Sequence, residues 1–215
     1  EEDLLKIGAW LDERSSNARM FTIGSSGIEA ALGIHWKSNE ILKGIDHPLR
    51  KQKEGAMLVV SGSQSPITQA QIEFARANEY PVHVITADAL AASPDASLIN
   101  TIVEESLKGK PVVVNSGSRN ASVVDAELLG NYYGKLVREI SSRIQLGKLI
   151  ICGGDTSSHT ARALGITAVE MIGSCIHGAP LCRAHSRYAE IDGMEMNFKG
   201  GQLGPPEYFE MIKTI

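Results

Sequence analysis

The chain has 215 residues, 43% of them hydrophobic and 21% charged, a globular balance that excludes wholesale disorder. Twenty-one basic and twenty-five acidic residues leave a net charge of −4 and a pI near 5.9. That balance carries no basic footprint for duplex nucleic acid, and aromatics at 5% leave few platforms for base stacking. Cys152, Cys175 and Cys182 are an odd set that implies no disulfide framework. Reduced thiols and a cytoplasmic address are the expectation. The acidic start Glu1-Glu2-Asp3 reverses the charge of a signal peptide, and no apolar run approaches the roughly 20 residues that span a bilayer. No membrane partner is therefore expected. The 21 glycines exceed the usual share of about 7%, which directs attention to tight turns and close backbone approach.

In chain order, Leu4, Leu5, Ile7, Leu11 and Ala18 predict a helix over 3–18, and Arg19 to Ile23 reads as a strand. Gly24-Ser-Ser-Gly27 turns into a helical pattern from Ile28 to Trp36. The polar stretch from Lys37 to Gly55 has little periodicity and reads as a connector. A regular strand–helix rhythm follows. Met57–Val60 is a short continuous apolar run, the mark of a strand covered on both faces; Val82–Ile85 and Val112–Val114 are the next strands and Lys148–Ile151 the fourth buried one. Helices are predicted through Thr68, Ile72, Phe74 and Ala75, from Pro94 to Leu107, from Val123 to Leu146, and after Thr156 to Leu164. The tail alternates over Ala168–Ile172 and Tyr188–Phe198, with Asp192-Gly193 as its hairpin turn. The expected fold class is α/β, a Rossmann-like three-layer sandwich with a mostly parallel sheet and an antiparallel C-terminal hairpin.

Ligands of open α/β sheets bind outside the carboxyl ends of the strands, so the turns after strands are the candidate site. In Cys152-Gly-Gly-Asp-Thr-Ser-Ser158 a buried strand delivers two glycines, and Asp155 or Thr156 is placed to cap the next helix. Free N–H groups at such a helix start favour a phosphate. Ser61-Gly-Ser-Gln-Ser-Pro66 offers the hydroxyls of Ser63 and Ser65, or simply a serine cap with Pro at the first turn. Lys199-Gly-Gly-Gln-Leu-Gly204 suits a loop wrapped around an anion, or a bare surface turn. The chain contains no G-x-x-x-x-G-K-[ST], no G-x-G-x-x-G and no G-x-S-x-G, against a Walker loop, a dinucleotide fingerprint and an α/β-hydrolase. An NAD enzyme is therefore disfavoured. Cys175, His177, Cys182 and His185 invite a zinc reading, but their spacing departs from paired zinc ligands. An irregular loop with buried thiols is preferred. His159 draws interest by its place just after Asp155.

Taken in order, Ser61 to Gln71, Cys152-Gly-Gly-Asp-Thr-Ser157 with Ala163-Leu-Gly165, Gly178-Ala-Pro-Leu181, and Phe198-Lys-Gly-Gly-Gln-Leu-Gly204 form a specific set. The chain from about residue 55 to its end resembles the C-terminal nucleotide-binding domain of the four-carbon acid sugar kinases, long called a domain of unknown function. Residues 1–36, with Thr22-Ile-Gly-Ser-Ser-Gly27, resemble the stretch where the family's N-terminal domain hands over to this one. The resemblance implies a division into 1–54, the tail of a substrate domain plus connector, and 55–215, a nucleotide-binding domain.

It also implies ATP-dependent phosphorylation of acids such as threonate or erythronate. Ser63 would contact the nucleotide, Gly153, Gly154, Asp155 and Thr156 would cradle its phosphates, and Gly200 and Gly201 would close the other side. Lys199 would offset phosphate charge, and Asp155 would take Mg²⁺ directly or through water; no further protein metal ligand is expected. The family's last loop often reads Lys-Ser-Gly-Gly-Phe-Gly, and here Gly200 and Gln202-Leu203 stand in. The sugar acid, the catalytic base and its carboxylate clamp are assigned to the missing N-terminal half, so this chain alone is expected to be inactive. The alternative is a non-catalytic nucleotide- or metabolite-binding module. A homodimer stays open.

Overall fold

The structure, a computed structural model, describes residues 2–43, 54–117 and 125–215. Residues 44–53 of the expected connector, Ser118 and the expected helix start at Val123 lie outside that set. The chain divides into two compact units, Glu1–Asp46 and His47–Ile215.

The first unit pairs α1 (Glu2–Asn17) with α2 (Gly27–Ser38). Their crossing is close because a Cβ at Gly8 would lie 2.1 Å from the Ala31 carbonyl oxygen. Only Gly8, Leu11 and Ala31 are buried in these helices, and the Trp36 indole donates to Asp12 Oδ1 at 2.7 Å. The strand expected over 19–23 does not form. A strand needs a ladder partner, the described residues of this unit supply helices, and Phe21 and Ile23 stand exposed.

The second unit is a seven-stranded sheet in the order β2-β3-β1-β4-β7-β6-β5. Its strands are β1 (Ala56–Ser61), β2 (Val82–Val84), β3 (Val112–Asn115), β4 (Leu146–Cys152), β5 (Ile166–Ile176), β6 (Ala179–Ser186) and β7 (Glu195–Lys199). Every ladder from β2 across to β7 is parallel, and only β6 runs against its neighbours. The helices are α3 (Pro66–Ala77), α4 (Ala96–Leu107), α5 (Ala126–Ser141), α6 (Gly154–Ala163) and α7 (Tyr208–Thr214). Alternation sorts each strand between two cores. Leu58, Val60, Val112, Val114, Leu149 and Ile151 pack with α4 and α5. Met57, Val59, Val113 and Ile150 pack with α3 and α7 on the other face. This is the α/β sandwich with an antiparallel C-terminal hairpin that the sequence predicts.

Three details differ from expectation. The long helix ends at Ser141, because Leu146 is drawn into the fully buried β4 beside β1. The two-residue hairpin turn is His177-Gly178, between β5 and β6, with Gly178 at φ +81°. Asp192-Gly193 instead ends a longer connection, where the Asp192 carboxylate accepts from the Ser186 amide at 2.9 Å and the Gly193 amide donates to Ala184. The stretch from Cys175 to His185 is therefore mostly paired strand and not an irregular loop. The described residues contain no cluster of three metal-ligating side chains, and no described helix is long and apolar enough to cross a membrane.

Candidate functional site

Parallel pairing lines up the carboxyl ends of four strands. Ser61 of β1 sits opposite Asn115 of β3 and Cys152 of β4, and Cys152 sits opposite Lys199 of β7. With strands about 4.8 Å apart, the turns after Ser61, Cys152 and Lys199 share a rim roughly 10 Å wide. The Gly62 amide donates to the Cys152 carbonyl at 3.1 Å, and the Gly153 amide to the Lys199 carbonyl at 2.9 Å. Behind β1, the buried Tyr133 hydroxyl donates to the Ser61 carbonyl at 2.8 Å and fixes where the first turn leaves the sheet.

In the first turn, Ser65 caps α3 by accepting from the Ile67 amide at 3.2 Å, with Pro66 at the first helical position. Ser63 is half-buried; its hydroxyl accepts from the Ser65 amide at 3.3 Å. The second turn departs from the expected cap. Gly153, at φ +111°, occupies the cap position of α6, and no side chain caps the helix. Asp155 and Thr156 lie inside the first turn instead, because a glycine that accepts a positive φ lets the helix begin directly after the strand. Asp155 is exposed, whereas Thr156 is buried under Gly62, where a Cβ would come within 2.2 Å of its hydroxyl oxygen. His159 faces Gly130 of α5 and belongs to the interface between those helices.

The third turn reaches back to the first. A Cβ on Gly201 would lie 2.5 Å from Ser63 Oγ, and one on Gly153 would lie 3.3 Å from the Ser63 amide. Ser63, Gly153 and Gly201 are thus neighbours, although 138 positions separate the first from the last. Lys199 does not present its ammonium at the surface. It is 1% exposed and donates to the Gly200 carbonyl at 3.0 Å and to Thr68 Oγ1 at 3.1 Å. Burial holds its pKa below the usual lysine value, with the Cys152 thiol working in the opposite sense. Burial also pushes the Cys152 thiol up to about 12, which removes it as a nucleophile.

Such a rim can hold an anion. It has an uncapped helix start, bare glycine backbone on two sides, one exposed carboxylate and few bulky groups. Sequence reasoning missed the buried Thr68 and Gln71 of α3, whose side chains tie the third turn down. Their signal was two polar residues in the stripe Thr68, Gln71, Ile72 and Ala75, at helical spacing. A hollow of about 700 Å³ lies at the opposite, amino ends of the strands, lined in part by Gly55, Ser106, Lys110, Lys148 and Lys213.

A family model described as a nucleotide-binding C-terminal domain matches residues 58–209. Among curated proteins, a 3-oxo-isoapionate kinase of Paraburkholderia graminis is 28% identical, the match covering 99% of this chain and 50% of that protein. A 3-oxo-tetronate kinase of Cupriavidus necator is 25% identical over 98% of this chain and 49% of its own length. The chain thus spans about half the length of the curated relatives it matches. A crystal structure of a Haemophilus influenzae protein of family DUF1537 superposes with a TM-score of 0.74 at 19% identity, over 99% of this chain and 51% of that one. A Bordetella bronchiseptica DUF1537 protein, solved with bound citrate as a domain-swapped dimer, gives 0.60 at 17% identity over 88% and 45%.

Proposed function

Because the chain belongs to the four-carbon acid sugar kinase family, as its nucleotide-binding C-terminal domain, we propose that it is the ATP-holding half of a cytoplasmic, Mg²⁺-dependent kinase acting on a small sugar acid. The observation that carries this reading is the meeting of Ser63, Gly153 and Gly201 at one rim beside an uncapped helix start. The acceptor class is a four-carbon acid of threonate or erythronate type, or a 3-oxo sugar acid of the kind named in the two curated relatives. Free thiols at Cys152, Cys175 and Cys182 suit a reducing compartment.

Phosphoryl transfer asks a protein mainly for positioning and for neutralising charge on the phosphate oxygens. Here the amides of Gly154, Asp155 and Thr156 open α6 toward the phosphates, with the helix dipole adding positive potential. Gly200 and Gly201 close the opposite side, and Ser63 stands between the two turns. The donor set fits a magnesium ion that keeps most of its waters. Asp155 is the exposed carboxylate of the rim, and bound Mg²⁺ would neutralise charge between it and the phosphate oxygens. The base for the acceptor hydroxyl and the clamp for its carboxylate are proposed to lie outside this chain, since the relatives are about twice as long. This chain would then bind nucleotide without turnover.

Calorimetry of the 215-residue chain with ADP, with and without Mg²⁺ and with NAD as control, tests the reading. ADP binding that tightens with Mg²⁺, and weak or absent NAD binding, is expected. An ADP Kd above about 1 mM would overturn it.

A further inference from the structure

We infer that Thr68 and Gln71 of α3, together with Lys199 of β7, are positioning residues that hold the carbonyl groups of loop 200–205 inward and so present its amides to the nucleotide phosphates. The inference rests on the nucleotide reading above. All three side chains are buried, at 0%, 0% and 1% exposure. Lys199 Nζ donates to the Gly200 carbonyl at 3.0 Å. Thr68 Oγ1 donates to the Gly201 carbonyl at 2.9 Å and accepts from Lys199 Nζ at 3.1 Å. Gln71 Nε2 meets the carbonyls of Leu203, Gly204 and Pro205 at 2.9, 3.0 and 3.0 Å. Five of the loop's six carbonyl oxygens are gathered by three side chains.

The consequence follows from peptide geometry. In a trans peptide the C=O of one residue and the N–H of the next point in opposite directions. Carbonyls of Gly201 and Leu203 turned toward α3, and of Gly200 toward the Lys199 ammonium and the Leu203 amide, therefore turn the amides of Gly201, Gln202 and Gly204 away from those partners. Gly204 and Pro205 precede Pro205 and Pro206, which have no N–H, so their carbonyls turn inward without misdirecting a donor. Gly201 is also the residue packed against Ser63. Drawing the carbonyls inward serves two ends: it removes partial negative charge from the face a phosphate approaches, and it aims donors at that face, as in other backbone anion nests.

Lys199 adds a field. An ammonium has donors only, so it binds carbonyl and hydroxyl oxygens and fixes Thr68 as the acceptor in their contact. No carboxylate pairs with Lys199 among the described residues; the Tyr208 ring lies 5.7 Å from its ammonium, and the Cys152 thiol also acts on it. A buried cation without a counter-ion is costly. An anion seated across the Gly200-Gly201 backbone would supply that counter-charge. The sequence-level role for Lys199, offsetting phosphate charge, is thereby recast as action through the loop and not by direct contact.

The test uses the 215-residue chain and ADP. Thr68→Val keeps the shape and removes the hydroxyl, while Thr68→Ser keeps the hydroxyl. Thr68→Val should weaken ADP binding by about tenfold or more and lower the melting temperature by a few degrees, because the Gly201 carbonyl and the Lys199 ammonium each lose a buried partner, and Thr68→Ser should bind as the parent does. In amide NMR spectra, ADP should shift Gly201, Gln202 and Gly204 strongly in the parent and weakly in Thr68→Val, with the Gly153–Thr156 amides responding in both. Gln71→Glu, which turns an acceptor toward three carbonyls, should act in the same direction and serves if Thr68→Val fails to fold. Parent-like ADP affinity and loop shifts in either folded variant overturn the positioning role alone. Failure of the parent to bind ADP overturns the nucleotide reading, and this inference with it.

Discussion

The two ends of the parallel sheet are made from the same strands and differ in what they offer a ligand. At the carboxyl ends the described residues offer glycine backbone, serine hydroxyls and the starts of α3 and α6. At the amino ends there is a hollow of about 700 Å³, yet its cations are already engaged. Lys148 donates to the carbonyls of Ile212 and Lys213 at the end of α7, at 2.9 and 3.4 Å. Lys110 pairs with Glu79 at 2.8 Å. Helix ends explain the contrast. The carboxyl rim receives helix starts, where N–H groups are unpaired and the dipole is positive. The amino end receives the finishing turns of α4 and α7, and Lys148 meets the last carbonyls of α7. Volume identifies space, and unpaired backbone donors identify where an anion is stabilised. On the proposed reading an anionic ligand takes the carboxyl rim.

The strongest way to break this contrast is Gly201→Ala. Its Cβ would sit 2.5 Å from Ser63 Oγ and 3.1 Å from Ser65 Cβ, so the third turn must withdraw from the first. ADP binding by calorimetry should fall below detection. Gly153→Ala adds a residue at φ +111°, which should cost about 1–2 kcal/mol of stability in thermal denaturation and weaken ADP binding with it. Unchanged ADP binding in both variants would sever the rim from the nucleotide.

Alkaline pH probes the packing beneath the rim. The native Cys152 thiol titrates only at about 12, whereas an unfolded thiol ionises near about 8.5. A raised native pKa gives stability that is complete below the unfolded value and lost as pH rises toward the native one. Denaturant unfolding should therefore show about 1.4 kcal/mol lost per pH unit above roughly pH 9 from this group. Lys148 and Lys199, both lowered by burial, act in the opposite sense in the same range. The difference between the parent and Cys152→Ala isolates the thiol, and identical slopes would place Cys152 in a wetter site.

Smaller effects sharpen the comparison. Asp155→Asn removes the exposed carboxylate of the rim and should weaken ADP binding about three- to tenfold with Mg²⁺ present and little without it. Equal Mg²⁺ dependence in both proteins would remove Asp155 from the site. Ser106→Ala, at the amino-end hollow, deletes a buried hydroxyl that has no hydrogen-bond partner. Melting temperature should hold or rise slightly, and ADP affinity should not move. A loss of ADP affinity there would reverse the assignment of the two ends.

Much of the fold was legible because burial leaves a local trace. The apolar runs at Met57–Val60, Val112–Val114 and Leu149–Ile151 are strands because both faces are covered, and covered strands need no alternation. Residues 19–23 mislead because β propensity describes a chain that has found a partner strand. The β5–β6 hairpin was hidden for a related reason. Cys175, His177, Cys182 and His185 resemble ligands in sequence, whereas antiparallel pairing sets Cys182 opposite Met171 and His185 opposite Ala168, and leaves His177 in the turn. Within the site, the glycine turns announce themselves locally. Thr68 and Gln71 do not, because their partners lie more than 130 positions away.

The sequence by itself determined the α/β class, the parallel strands β1 to β4, and the three turns where bare backbone and hydroxyls follow a buried strand. Each of these depends on contacts within a few residues, or on a hydrophobic pattern that any core would enforce. Only the tertiary structure decided that Ser61, Cys152 and Lys199 end in one row, bringing Ser63, Gly153 and Gly201 together. It also decided that Lys199 turns inward. Strand order and register are set by long-range pairing, and the direction of a lysine is set by which buried oxygens lie within its reach.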